Sequence, residues 1–197
     1  MPAPKILVMT ASLRAGSHNG RLAALVTKEL ALAEADVTRI SLADYPLPLL
    51  DADLLTAAGL PDNAVKLKRM LDAHQGVFIA SPEYTASVPP LLKNAIDWVT
   101  RVRETGEGAY AAFRDRVFAL GCAVPAAAGG VYGLMALRQI LELGCGALVL
   151  PEQVNVGHAE AAFDDMDNLK DEDLTADLKQ MVRRLIELAS AMPRTTE

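Results

Sequence analysis

Between Thr10 and Gly20 the chain reads TASLRAGSHNG, a stretch with two serines, an arginine, an asparagine, two glycines and no acidic side chain. It follows the apolar run KILVM and precedes RLAALVTKEL, which reads as a helix. A helix N-terminus exposes unpaired N–H groups and carries partial positive charge, so an anion placed there is favoured by geometry and by field. Ser12, Ser17 and Asn19 add neutral hydrogen-bonding groups, and Arg14 adds a fork-shaped cation. The chemistry that fits is binding of a phosphate; the plainer alternative is that Ser17 or Asn19 only caps the helix. The loop has no Gly-Lys-Ser/Thr ending for a nucleoside triphosphate, no GxGxxG for a dinucleotide, and no cysteine nucleophile before Cys122 for a phosphatase. A loop that holds phosphate without cleaving it remains.

A second stretch, SPEYTASVPPLLKNAIDWVTR from Ser81 to Arg101, follows another apolar run. Its prolines stiffen the turn, Pro90 is tolerated in the first turn of a helix, and the small residues Thr85, Ala86 and Ser87 would let a flat ring approach the backbone beside Tyr84. A rigid turn before a buried helix accounts for the same residues equally well. Of the remaining reactive side chains, His18 reads as a solvent-edge neighbour of the first loop, and His74 and His158 as helix-end and loop residues. Cys122 and Cys145 are far apart and outside any CxxC or His-rich motif, so both read as buried thiols rather than as a disulfide or zinc site. The acidic segment DDMDNLKDED lacks the glycine and terminal glutamate spacing of an EF-hand and reads as a solvated cap.

The elements that must carry these loops alternate from end to end, short apolar runs with longer amphipathic ones, as in repeated β-α units around a parallel sheet. Strands are expected near 5–10, 37–42, 76–81, 117–123 and 147–154, and helices near 19–34, 62–74, 89–102, 130–143 and 173–191. Met135, Leu137, Ile140 and Leu141 read as a core-facing helix stripe. KILVM, GVFIA, RVFAL and ALVL are almost wholly apolar, as in strands covered on both faces, whereas VTRISLA alternates like an edge. That pattern fits an α/β, flavodoxin-like three-layer sandwich with a five-stranded parallel sheet of order 2-1-3-4-5, whose ligands sit beyond the carboxyl ends of the strands. The Pro- and Leu-rich stretch DYPLPLLDADLLTAAGLPDN and the acidic NVGHAEAAFDDMDNLKDEDL read as long connections.

Composition narrows the partners. The 197 residues are expected to form one domain over 1–197; 51% are hydrophobic and 22% charged, the proportions of an ordinary globular chain. A formal charge of -6 without a dense run of Lys and Arg argues against nucleic acid. No apolar stretch approaches the ~20 residues that span a bilayer, and the N-terminus lacks the pattern of a secretory signal, so no membrane partner and a cytoplasmic place are expected.

ASLRAGSHN, followed by SPEY and LKNAIDW and then by AAAGGVYGLMALRQIL, resembles the NADPH-dependent FMN reductase family of the flavodoxin-like superfamily, especially its quinone and chromate reductase branch. The resemblance runs from the first strand to the fifth. It implies that Ser12, Arg14, Ser17 and Asn19 hold the phosphate of FMN, that Pro82, Glu83, Tyr84 and Thr85 border its ring with Ser87 close by, and that Ala123 contributes through its backbone. It implies hydride transfer from NADPH or NADH through FMN to quinones, free flavin or other small acceptors, in a homodimer or homotetramer. No side chain is assigned as catalytic and no metal is implied; the backbone N–H groups of Glu83 to Thr85 are the candidates for steadying charge on the reduced ring. Ala11, Thr85, Pro90 and Tyr132 replace the Gly, Asn, Gly and Arg of the family pattern. These departures motivate the alternative of a flavin-binding or electron-transfer protein with little NAD(P)H turnover.

Overall fold

Alternate residues of the central strands enter different cores, which is why their sequences show no polar face. In the computed structural model, which describes residues 3–193, five parallel strands run β1 (Lys5–Thr10), β2 (Asp36–Ser41), β3 (Gly76–Ala80), β4 (Val117–Ala123) and β5 (Leu148–Val156), in the order β2-β1-β3-β4-β5. Leu7, Met9, Val77, Ile79, Phe118 and Leu120 face one helical layer; Ile6, Val8, Phe78, Ala80, Val117 and Ala119 face the other. The first layer holds α3 (Asp62–Asp72), α4 (Pro90–Val99), α5 (Ala111–Arg114) and α6 (Val131–Gln139), and the second holds α1 (His18–Leu32), α7 (Ala159–Ala162) and α8 (Glu172–Ala191). β2 pairs only with β1 and stays half-buried, the edge its alternation predicts.

The two long connections contain short helices. Asp51 caps α2 (Ala52–Ala58) by accepting from the N–H of Asp53 at 2.7 Å, and Gly59 ends it at φ 76°. The Pro- and Leu-rich segment around it is fastened to α4: Asn94 and the Trp98 indole both donate to the Pro48 carbonyl, and Asn94 accepts from Leu50 N–H. In the acidic connection, α7 packs its Ala159 into the second core. β5 extends two residues past its expected end, and the helix expected over 130–143 is α6 followed by a π-helical turn, Ile140–Gly144.

The core-facing stripe of α6 is also displaced. Leu134, Leu137 and Leu141 are fully buried and Ile140 partly so, whereas Met135 is 61% exposed. Met135 lies about 100° around the helix from Leu134 and therefore leaves the core.

At the amino ends of the strands four charged side chains are paired among themselves. Buried Lys68 bonds Asp72 at 2.6 Å and Glu107 at 2.7 Å, and buried Arg116 reaches Asp72 and the carbonyls of His74 and Ala111. A cleft of 650 Å³ opens there, lined by Lys5, Arg69, Asp72, Glu107 and Arg116. It lies at the opposite end of the sheet from the loops that carry the motifs.

Candidate functional site

The first loop leaves β1 at Thr10 and enters α1 through Ser17, whose extended backbone and hydroxyl, accepting from Gly20 N–H at 3.0 Å, make it the helix cap. The capping role does not exhaust the loop. The N–H groups of Leu13, Ala15, Gly16, His18 and Asn19 have no partner among the described residues. Arg14 is exposed and has no ion-pair partner there, and the first turn of α1 contains no acid. Ser12 accepts from Arg14 N–H at 3.3 Å and shapes the turn. These groups form a row of donors with one cation at a helix N-terminus, an arrangement that accepts a dianion.

Asn19 has a different position from its three companions. It is 3% exposed; its Oδ1 accepts from Ala123 N–H at 3.0 Å and its Nδ2 donates to the Ala123 carbonyl at 2.9 Å. Asn19 thus ties the first loop to the end of β4. The same pair of bonds engages both backbone groups of Ala123, which leaves its carbonyl oxygen one further lone pair. Nearby, Thr10 Oγ1 and His18 Nδ1 are buried without partners among the described residues. His18 is therefore not purely a solvent-edge side chain. Unpaired buried polar atoms are rare in folded proteins, and these two lie beside the first loop.

The second loop is built around a tight reversal. Tyr84 and Ser87 exchange N–H to O bonds of 2.9 and 3.0 Å, with Thr85 at φ 51° and Ala86 at φ 56° between them. Two positive φ values inside reciprocal bonds correspond to a two-residue type I′ hairpin, which favours Asn and Gly. A β-branched residue in that conformation is strained. Pro82 is buried, whereas Tyr84 through Ser87 are exposed. Of the three N–H groups expected to face a ring, that of Glu83 is held by the Cys122 sulfur and that of Tyr84 by the Ser87 carbonyl. The Thr85 N–H has no partner among the described residues, and neither has that of Ala86.

Glu83 and Gly130 join the second loop to the third. The Glu83 carboxylate accepts from Gly133 N–H at 2.6 Å and so caps α6 from another segment, where its charge complements the helix dipole. Gly129 and Gly130 have φ of 61° and 77°, and a Cβ on Gly130 would overlap the Cys122 sulfur. Cys122 is fully buried; burial, followed by the charge of Glu83, pushes its thiol up to about 12 despite the Glu83 N–H bond. It packs as a small apolar side chain.

The acidic connection borders the same end of the sheet. Asp164 accepts from the N–H groups of Met166 and Asn168, and its bonds with Asn168 hold its carboxyl below the usual carboxylate range. Arg21 in the first turn of α1 bonds Asp167 at 2.5 Å and the Asp164 carbonyl, and lies over the Phe163 ring. Arg21 was not singled out in the sequence because its partner is 146 positions away. Asn155 and Gln153 on β5 also reach this end and carry no motif. No helix among the described residues is long and apolar enough to cross a membrane.

Known proteins resemble this chain in sequence and fold. Residues 4–161 match the family model for NADPH-dependent FMN reductase. The chain is 40% identical over 99 residues to a quinone reductase of Escherichia coli K12, a match spanning about half of each protein (50% of this chain and 51% of that one). It is 31% identical over 183 residues to an NAD(P)H-dependent FMN reductase of Pseudomonas aeruginosa, covering 92% of each. Among solved structures, FerB, a flavoenzyme NAD(P)H:(acceptor) oxidoreductase from Paracoccus denitrificans, superposes with a TM-score of 0.77 at 27% identity, over 96% of this chain and 99% of that one. With the parallel sheet in the expected order and the donor-rich first loop, these matches establish that the chain belongs to the NADPH-dependent FMN reductase family.

Proposed function

We propose that the chain, as one flavin-binding domain, is an FMN-dependent oxidoreductase that takes reducing equivalents from NADPH or NADH and delivers them to quinones, free flavin or other small acceptors. The observation that carries this reading is the first loop, whose N–H groups and Arg14 have no partner among the described residues and whose helix turn contains no acid. FMN, when bound, supplies hydride acceptance from the nicotinamide and two-electron delivery to the acceptor. Arg14, Ser12, Ser17 and the open N–H groups of the first loop bind its phosphate. Asn19 acts on that site by bracing the loop against Ala123.

On the ring side, Pro82, Tyr84, Thr85 and Ser87 form the border, and the Thr85 N–H offers a fixed dipole to charge on the reduced ring. Glu83 holds the loop through Gly133 rather than touching the acceptor. The proposed place of action is the cytoplasm, where the nicotinamide donors are available. The proposed assembly is a homodimer or homotetramer: Tyr132, Met135 and Leu143 on α6 and the π-helical turn are 57%, 61% and 81% exposed, an apolar stripe beside Ala86.

The test is an absorbance spectrum of the purified protein after reconstitution with FMN and desalting, followed by anaerobic addition of NADPH and then NADH. Retained flavin bands that bleach support the reductase and report its donor. Bands that persist support an electron carrier, and a colourless protein overturns the cofactor assignment.

A further inference from the structure

Gly129 accepts a hydrogen bond at 3.1 Å from the side-chain amide of Asn155, which lies 26 positions away on β5. Asn155 is in turn oriented by Gln153, whose Nε2 donates to Asn155 Oδ1 at 2.8 Å. Gln153 is held at its own oxygen by Arg138 at 3.4 Å, and Arg138 is anchored to the Leu150 carbonyl at 2.7 Å and to Glu142 at 3.1 Å. The four side chains form a continuous partly buried line from the end of α6, along β5, to the turn that begins α6.

We infer that Asn155 is a positioning residue for the flavin site, holding the Gly129–Gly130 turn in the one shape that lets the third loop lie against the second. The inference rests on the FMN reading proposed above and adds a residue to it that belongs to none of the three loop motifs.

Three observations carry the inference. First, the turn has little freedom: a Cβ on Gly129 would lie 2.8 to 3.0 Å from the Asn155 backbone and Cβ, and one on Gly130 would strike Cys122. The backbone of β5 therefore lies directly against the turn, and the Asn155 amide sets its register there. Second, the turn starts α6, whose Gly133 N–H is gripped by Glu83 at 2.6 Å. A shift at Gly129 is passed through Gly130 to Glu83 and so to the loop that borders the ring. Third, the N–H of Gly130, a buried residue, has no partner among the described residues. A buried glycine N–H held open costs free energy unless something outside the chain meets it. Gln153 and Arg138 exist in this line to fix the flip of the Asn155 amide, since an asparagine turned about would aim its oxygen at the Gly129 carbonyl.

The experiment compares full-length wild-type protein with Asn155→Ala, Asn155→Asp and Gln153→Leu. Asn155→Asp keeps the shape and loses the donor; Gln153→Leu leaves the Gly129 bond and removes its support. Amide hydrogen exchange of residues 126–132 is measured without flavin, and the FMN dissociation constant is measured by quenching of flavin fluorescence. The expected result is faster exchange across 126–132 in both Asn155 variants, with FMN binding weakened about fivefold to tenfold, the scale of one lost hydrogen bond. Gln153→Leu gives a smaller change in the same direction, and serves alone if the Asn155 variants do not fold. Unchanged exchange, or faster exchange with unchanged FMN affinity, overturns the positioning role while leaving the FMN reading intact. A wild-type protein that binds no FMN overturns the FMN reading itself, and the inference with it.

Discussion

Arg14 is the side chain on which anion binding depends most directly, because it is the one exposed cation of the first loop and has no competing acid. Arg14→Ala is expected to weaken FMN binding by about tenfold to a hundredfold, the range of a charged hydrogen bond, with little change in unfolding temperature; a fluorescence titration checks it. The two thiols make the opposite case. Burial and the charge of Glu83 push Cys122 up to about 12, and burial and Asp97 push Cys145 up to about 11. Both stay protonated at neutral pH, so neither is expected to react with a thiol-specific disulfide reagent until the protein unfolds. Stopped-flow labelling with and without denaturant reads this directly, and rapid native labelling would contradict it.

Among the elements, the Tyr84–Ser87 hairpin combines ligand geometry with backbone strain. Its two central residues occupy the left-handed region without being glycine or asparagine. Replacing Thr85 by Asn and Ala86 by Gly is expected to stabilise the protein by about 1 kcal/mol in total, raising its melting temperature by roughly 2 to 4 °C. Differential scanning calorimetry of the double variant measures the effect, and a lowered temperature would show that the turn tolerates Thr85 through contacts that Asn cannot make. The prolines at 89 and 90 fit this element well: Pro89 caps α4 and Pro90 occupies its first turn, where a missing N–H costs nothing. The departure from the family glycine at Pro90 is thus accommodated by the helix start.

For the whole molecule, the buried Lys68 links stability to pH. Burial works to raise the Glu107 carboxyl, but hydrogen bonds from Lys68 and the Glu104 N–H and the charges of Lys68 and Arg116 outweigh it, so the group lies below its ordinary value of 4.5. A carboxylate lowered in the folded state contributes its full stability above its unfolded value and loses it as pH falls through the folded one. Urea midpoints should therefore drop below about pH 4.5. Glu107→Gln should be less stable at pH 7 and show a shallower acid decline, since Lys68 then keeps only Asp72 as a charged partner. Assembly is tested at this scale too. If the α6 stripe forms the proposed contact between copies, Leu143→Glu should reduce the mass measured by light scattering toward the 21.0 kDa of one chain, while wild-type protein elutes as a dimer or tetramer.

The sheet was legible in the sequence because each central strand is short, apolar and bounded by polar turns, and strand order followed from the one alternating strand at the edge. The donor-rich first loop was legible for the same local reason: its residues are contiguous, and a helix start needs only neighbours in the chain. Tertiary structure alone decided which of those donors remain open. The Asn19 side chain looks like another phosphate ligand until the end of β4 arrives beside it and engages its amide on Ala123, which leaves only the Asn19 N–H open. Met135 looks like core until the face of α6 is set by Leu134, Leu137 and Leu141. Glu83 with Gly133 and Asn155 with Gly129 form their bonds between segments far apart in the chain, and hydrogen-bond partners that far apart leave no pattern in a single sequence. What the sequence by itself determined was the fold and the character of the anion loop, since both arise from local periodicity and residue type. What only the tertiary structure decided was which polar groups are already satisfied, because that depends on which distant elements pack against one another.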